Sequence, residues 1–198
     1  MCAALTASTN QIERGMLLEG KSIVVTGGNS GIGKAIVLAA AAEGADVTVD
    51  YLMHPDYAAE VIAAAGRAGG RTIGVEADVS RTEDLRRIIR AAVDNFGRLD
   101  VFVSNAGIET RTSLLETSEA DFDKVLAVNL RSAFFGAQFA SQRFMAQGGG
   151  GLVVTISSIA RPAEIADLVV FLASDKAGYL NATTVTVDGG LSQSNVGL

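Results

Sequence analysis

Short runs of apolar and β-branched residues alternate along the chain with longer stretches whose apolar positions recur at helical spacing. Ser22–Thr26 (S-I-V-V-T) has no polar face, as expected of a strand buried on both sides. Asp46–Tyr51, Arg71–Glu76, Asp100–Ser104, Leu152–Ser157 and Thr183–Val187 repeat that signature. Between them the pattern predicts helices at Gly31–Glu43, Asp56–Arg67, Thr82–Phe96 and Glu119–Met145, and one more opened by Pro162. Punctuation agrees with this reading. Gly44, Gly69-Gly70 and Gly97 close helices, Ser118 is placed to cap one, and Ser80 with Glu83 three residues on reads as a capping box.

Strands separated by helices need crossover connections and therefore pair in parallel. The predicted fold class is α/β, a Rossmann-type doubly wound parallel sheet with helices on both faces. A tail covers residues 1–18, expected to be flexible, and one Rossmann-type domain covers 19–198.

Composition narrows the function. The chain has 198 residues, 48% apolar and 19% charged, enough apolar surface to offset the entropy of ordering. A net charge of −6 gives no general attraction to nucleic acid or anionic lipid. One cysteine (Cys2) and one histidine (His54) cannot form an internal disulfide or an N/S zinc site. No G-x-S-x-G elbow is present for a hydrolytic triad, and His54 reads as a loop residue after a strand. No apolar run is long enough to span a bilayer, and the first residues do not form a signal peptide, so the expected location is cytoplasmic.

The sharpest chemical signal is Thr26-Gly27-Gly28-Asn29-Ser30-Gly31-Ile32-Gly33, where the first strand meets the first helix. A diphosphate needs close backbone approach and N–H donors; glycine removes the obstructing Cβ, and a helix start adds partial positive charge. The spacing T-G-x-x-x-G-x-G in a strand–turn–helix context predicts a dinucleotide site built from Gly27, Asn29, Ser30, Gly31, Ile32 and Gly33.

Further elements follow in order: A-D-V at Ala77–Val79, S-N-A-G at Ser104–Gly107, V-N-L at Val128–Leu130, I-S-S at Ile156–Ser158, R-P-A-E-I-A at Arg161–Ala166 and V-D-G-G at Val187–Gly190. Taken together with the glycine turn, the chain resembles the short-chain dehydrogenases/reductases, in particular bacterial glucose-dehydrogenase-like and 3-oxoacyl-reductase-like members. The resemblance implies an oxidoreductase that transfers hydride between a nicotinamide cofactor and an alcohol/carbonyl substrate. It implies that Asp78, beside Val79, accepts from the adenine amino group, and that Asn105, Ala106 and Gly107 line the cofactor. It implies that Asn129 sits at a local distortion of a helix and holds a water in a proton relay, and that Ser158 hydrogen-bonds the substrate oxygen. The family is commonly tetrameric, so a homo-oligomer, dimer or tetramer, is expected.

NADP needs cations for its 2′-phosphate, whereas NAD favours an acidic group near the ribose. Ser30 precedes Gly31, and the second strand ends Asp50-Tyr51-Leu52-Met53-His54 with no Arg or Lys. NAD is therefore preferred over NADP, with Asp50 and Tyr51 at the ribose end.

The family's catalytic Tyr has a Lys four residues later. The residues four beyond Tyr51, Tyr57 and Tyr179 are Pro55, Val61 and Thr183, so the pair is absent. Ile156–Ala160 runs straight into Arg161–Ala166, where the family carries a long helix, a sixth strand, a substrate-loop region and a short helix, roughly 60 to 75 residues. Either the 198-residue sequence omits a stretch that the whole protein has, or the protein is truly shortened. A shortened chain could still close its last strand onto the fifth. Losing the intervening helix would bare a long helix carrying Phe134, Phe135, Phe139 and Phe144. A chain without the pair could be a non-catalytic dinucleotide-binding protein.

Overall fold

A computed structural model of the chain describes residues 16–157 and 161–189. Five parallel strands form the sheet: β1 (Ser22–Val25), β2 (Asp46–Tyr51), β3 (Thr72–Glu76), β4 (Val101–Ser104) and β5 (Leu152–Thr155), in the order β3-β2-β1-β4-β5. The six α-helices among the described residues are α1 (Gly31–Ala42), α2 (Pro55–Ala68), α3 (Thr82–Phe96), α4 (Glu119–Leu126), α5 (Ser132–Ala146) and α6 (Pro162–Ala173). The strand order reverses between β1 and β4, and that switch point lays open the carboxyl ends of both.

Successive side chains on a strand point to opposite faces, and both faces here are covered. Ile23 and Val25 of β1, with Val101 and Val103 of β4, enter one core with Ile36 and Val37 of α1, Val61 of α2 and Val169 and Val170 of α6. Val24 and Phe102 enter a second core with Leu85 and Ile88 of α3 and Phe139 and Phe144 of α5. Of the four phenylalanines on the long helix, then, Phe139 and Phe144 are core residues, while Phe134 is 63% exposed. No helix among the described residues is long and apolar enough to cross a membrane.

The structure corrects three sequence expectations. The expected tail is shorter: Leu18 is fully buried, its N–H donates to the Glu43 carbonyl at 2.9 Å, and the Leu17 N–H donates to the Glu43 carboxylate. Residues 1–15 lie outside the described residues. Ser80 does not cap α3; its hydroxyl donates to Asp78 Oδ1 at 2.7 Å, and Arg81 takes the cap position without a side-chain bond. Asp78 wins because a local turn bond closes two residues away.

Thr183–Val187 is the third. It forms no strand. A strand is stable only through a neighbour's backbone, and among the described residues β5 pairs with β4 alone. A cleft of about 910 Å³ separates the two, lined by Leu152, Val154, Ile156, Leu172, Thr183 and Val185 among others. The last segment therefore does not close onto β5.

Candidate dinucleotide site

The ends of β1 and β4 are locked by one hydroxyl. Thr26, 2% exposed, donates through Oγ1 to the Val103 carbonyl at 3.3 Å and accepts from the N–H groups of Asn105 at 2.9 Å and Ala106 at 3.1 Å. Asn105 answers across the same gap, its Nδ2 donating to the carbonyls of Thr26 at 3.0 Å and Gly27 at 3.2 Å. Side-chain bonds therefore hold the glycine turn and the Ser104–Gly107 loop as one rigid floor. Replacing Thr26 with Val keeps the shape but strands two backbone donors. We expect a loss of about 2–4 kcal/mol in unfolding free energy, read as a lower denaturant midpoint at unchanged m-value, with T26S within about 1 kcal/mol of the parent.

Gly31 and Gly33, with Gly27 below them, make the cradle above this floor. At Gly33 a Cβ would collide with the Gly27 carbonyl oxygen and sit 2.6 Å from Asn105 Nδ2. Gly31 has φ +53° with nothing within 4 Å of a Cβ position, so the turn is open to solvent there. Ser30 leads into α1 with extended backbone and no side-chain cap bond, and the first turn carries no acidic residue. The first N–H groups of α1 thus face an open space with no carboxylate of that turn competing for them, as an anion requires. Asn29 ties the turn sideways, its Nδ2 donating to the Met53 carbonyl at 2.7 Å. Ile32 is half-buried against the first core.

Around this cradle stand the other expected residues. Asp50, expected at the ribose end, instead points inward because Gly27 offers its carboxylate an N–H: its Oδ2 accepts from the Gly27 N–H at 3.2 Å, and its carbonyl accepts from the Gly28 N–H at 2.9 Å. Burial pushes its carboxyl up to about 7, against the Gly27 hydrogen bond and the Arg87 charge, which favour ionisation. Tyr51 is half-buried at the end of β2. Asp78 follows β3, with Oδ1 accepting from the Ser80 N–H and hydroxyl, while Val79 packs in the second core. Ala106 lies 3.0 Å, by its Cα, from where a Gly27 Cβ would be.

Asn129 is brought to the same rim. The helix is distorted there, as expected: residues Ala127–Arg131 form a π-helical turn between α4 and α5. Such turns recur at functional sites. The Asn129 amide clamps one residue from both sides, Oδ1 accepting from the Ile108 N–H at 2.9 Å and Nδ2 donating to its carbonyl at 2.8 Å. Gly107 passes beside it, its Cβ position 3.6 Å from Oδ1. Ser118 caps α4 as its sequence position indicated, accepting from the Asp121 N–H. Ser158 lies outside the described residues.

Sequence reasoning missed two parts of this assembly. Thr26 was read only as the start of a motif, although a hydroxyl at the last position of a buried strand signals a bridging role. The inward bond of Asp50 had no signal, because a strand-end carboxylate can turn either way.

Comparison with known proteins gives the same grouping. A family model described as short chain dehydrogenase matches residues 21–194. The chain is 39% identical over 143 residues to an L-rhamnose 1-dehydrogenase (NAD(P)(+)) of Sphingomonas sp. (strain SKA58), covering 72% of this chain and 56% of that protein. It is 37% identical over 142 residues to a 2-dehydro-3-deoxy-D-gluconate 5-dehydrogenase of Escherichia coli (strain K12), covering 72% and 55%. The chain thus spans little more than half the length of these relatives. A crystal structure of a dehydrogenase/reductase from Sinorhizobium meliloti 1021 superposes with a TM-score of 0.80 at 28% identity, over 89% of this chain and 96% of that one.

Proposed function

The chain belongs to the short-chain dehydrogenase family, and from that premise we propose that it binds NAD in preference to NADP and serves an alcohol/carbonyl oxidoreductase reaction. The observation that carries this is the cradle of Gly27, Gly31 and Gly33, held rigid against Asn105 and open at the start of α1. The bound cofactor would supply or accept the hydride. The residues of this chain do the rest: backbone N–H groups of the turn and α1 hold the diphosphate, and the Ser104–Gly107 floor seats the nicotinamide half. Asp78 is the proposed adenine partner. Asn129 holds Ile108 in place and is the proposed anchor of a proton-relay water. Ser158 is the proposed contact to the substrate oxygen. The preference for NAD rests on the residues after β2, Tyr51 to His54, which offer no Arg or Lys to a 2′-phosphate.

A second reading is favoured by one sequence fact. No tyrosine is followed four residues later by lysine, so the proton donor of the family's reaction is absent from this chain. On that reading the protein binds the dinucleotide without turning over a substrate. A cytoplasmic location and assembly into a dimer or tetramer complete the proposal.

Calorimetric titration tests it. Saturable heat is expected with NAD+ and NADH, at micromolar dissociation constants and with weaker binding of NADP+. No heat with any of them on folded protein would end both readings. Turnover across sugars, secondary alcohols and 3-oxoacyl thioesters then separates the enzyme from the binder.

A further inference from the structure

Asp50 sits beneath the glycine turn, 2% exposed, with one carboxylate oxygen bonded and the other alone. Oδ2 accepts from the Gly27 N–H at 3.2 Å, whereas Oδ1 is buried with no hydrogen-bond partner. The same residue's carbonyl takes the Gly28 N–H, so two consecutive amides of the turn hang on Asp50. An unpartnered buried oxygen on an ionised carboxylate is costly, and the cost falls when the group takes a proton.

The surrounding charges do not offer a dedicated counterion. From α3 come Arg87, which attracts, and Asp84, which repels; from the loop after β3 comes Asp78, which repels. Arg87 is itself engaged, donating to Asp84 Oδ1 and to the Glu76 carbonyl, both at 2.9 Å. β1 carries no charged residue, and Lys34 of α1 lies on the exposed face of its helix.

We propose that Asp50 is a positioning residue for the diphosphate turn, and that its charge opposes the anion bound on the turn's other side. This rests on the dinucleotide reading given above. A diphosphate brings negative charge over Gly27 while ionised Asp50 holds negative charge under it, so binding favours the neutral carboxyl. By linkage, deprotonation weakens binding to the same extent. The sign follows from the repulsion between the two negative charges, and the free-state value places the pH window. Burial holds the Asp50 carboxyl up to about 7, and the ligand raises it further. Affinity is therefore full below that value, falls as pH rises between the free and bound values, and levels off above them.

The test is calorimetry with NAD+ from pH 6 to pH 9, in pairs of buffers with different ionisation enthalpies. For a bound-state rise of about one unit, the dissociation constant should increase about eightfold over that span, and binding at pH 7.5 should take up about half a proton. The variant D50N keeps an oxygen acceptor for the Gly27 N–H and has no charge. It should bind as the parent does at pH 6, at every pH, with no proton uptake. D50A, which loses the acceptor, should bind at least about fivefold more weakly than D50N throughout, as loss of a hydrogen bond predicts. The parent profile repeated in H54Q excludes the single imidazole as the source of the slope. A flat profile in the parent, or an equal slope in D50N, overturns the inference while leaving dinucleotide binding intact. A slope that vanishes in H54Q and persists in D50N overturns it as well. Absence of binding at every pH removes the dinucleotide reading and this inference together.

Discussion

Replacing Gly33 with Ala should abolish dinucleotide binding, weakening it by more than about 100-fold, and should lower stability by about 2–4 kcal/mol. Two effects oppose each other. Ala is the better helix former, by up to about 1 kcal/mol, and Gly33 is the third residue of α1, in its first turn. Against that, the new Cβ would collide with the Gly27 carbonyl oxygen, a backbone atom that cannot swing aside, and would press on Asn105 Nδ2 at 2.6 Å. Relief requires α1 to move away from the turn, which breaks the cradle and the Asn105 bonds together. Collision wins. The same change at Gly66, in α2 with nothing within 4 Å, should instead stabilise by about 0.5–1 kcal/mol and leave binding unchanged. Titration calorimetry and denaturant unfolding of both variants give the comparison. Equal behaviour of G33A and G66A would mean that the turn is not held as described.

Inserting the segment that the family carries between Ala160 and Arg161 should have the second large effect. The 198-residue chain is expected to show no turnover, because neither Tyr51, Tyr57 nor Tyr179 has the lysine partner that the family's proton transfer uses. General acid–base participation is worth about 10²–10⁴-fold. A chain carrying the corresponding segment of a related dehydrogenase should therefore rise from undetectable activity to at least about 10³-fold above background. It should also melt at least about 5 °C higher, since each kcal/mol regained moves a domain of this size by a few degrees. The structural reason is the cleft of about 910 Å³ beside β5. Its apolar walls Leu152, Val154 and Leu172 are only half-buried, and Thr183–Val187 also lines it without a strand partner among the described residues. An inserted strand would pair β5 and cover those side chains at once. Turnover by the 198-residue chain itself, or a lengthened chain that folds and binds yet stays inert, would refute this account.

Most of the sheet was legible because its signals are local. Ile23, Val24 and Val25 are apolar on both strand faces, and Gly44 and Gly97 mark helix ends by residue type alone. The distortion at Asn129 was accessible only through family resemblance, since nothing in A-V-N-L-R itself specifies a wider turn. Thr183–Val187 failed for a non-local reason. Its β-branched alternation is a sound strand signal, but propensity cannot supply the neighbouring backbone that completes a strand. Ser80 failed through competition, since Asp78 two residues earlier claimed its hydroxyl first. At the site, glycine spacing announced the cradle, while the bonds that stiffen it join residues such as Thr26 and Ala106, 80 positions apart in the chain.

The wide turn at Ala127–Arg131 also decides how the two halves of its helix are aimed. An α-helical residue advances the chain by about 100°, so a surplus residue re-phases everything downstream by that angle. The azimuth of α5, which seats Phe139 and Phe144 on the second core, is thereby uncoupled from that of α4, whose Phe122 and Leu126 face water. One continuous rod serves as two separately oriented tools, and Asn129 stands at the joint between them.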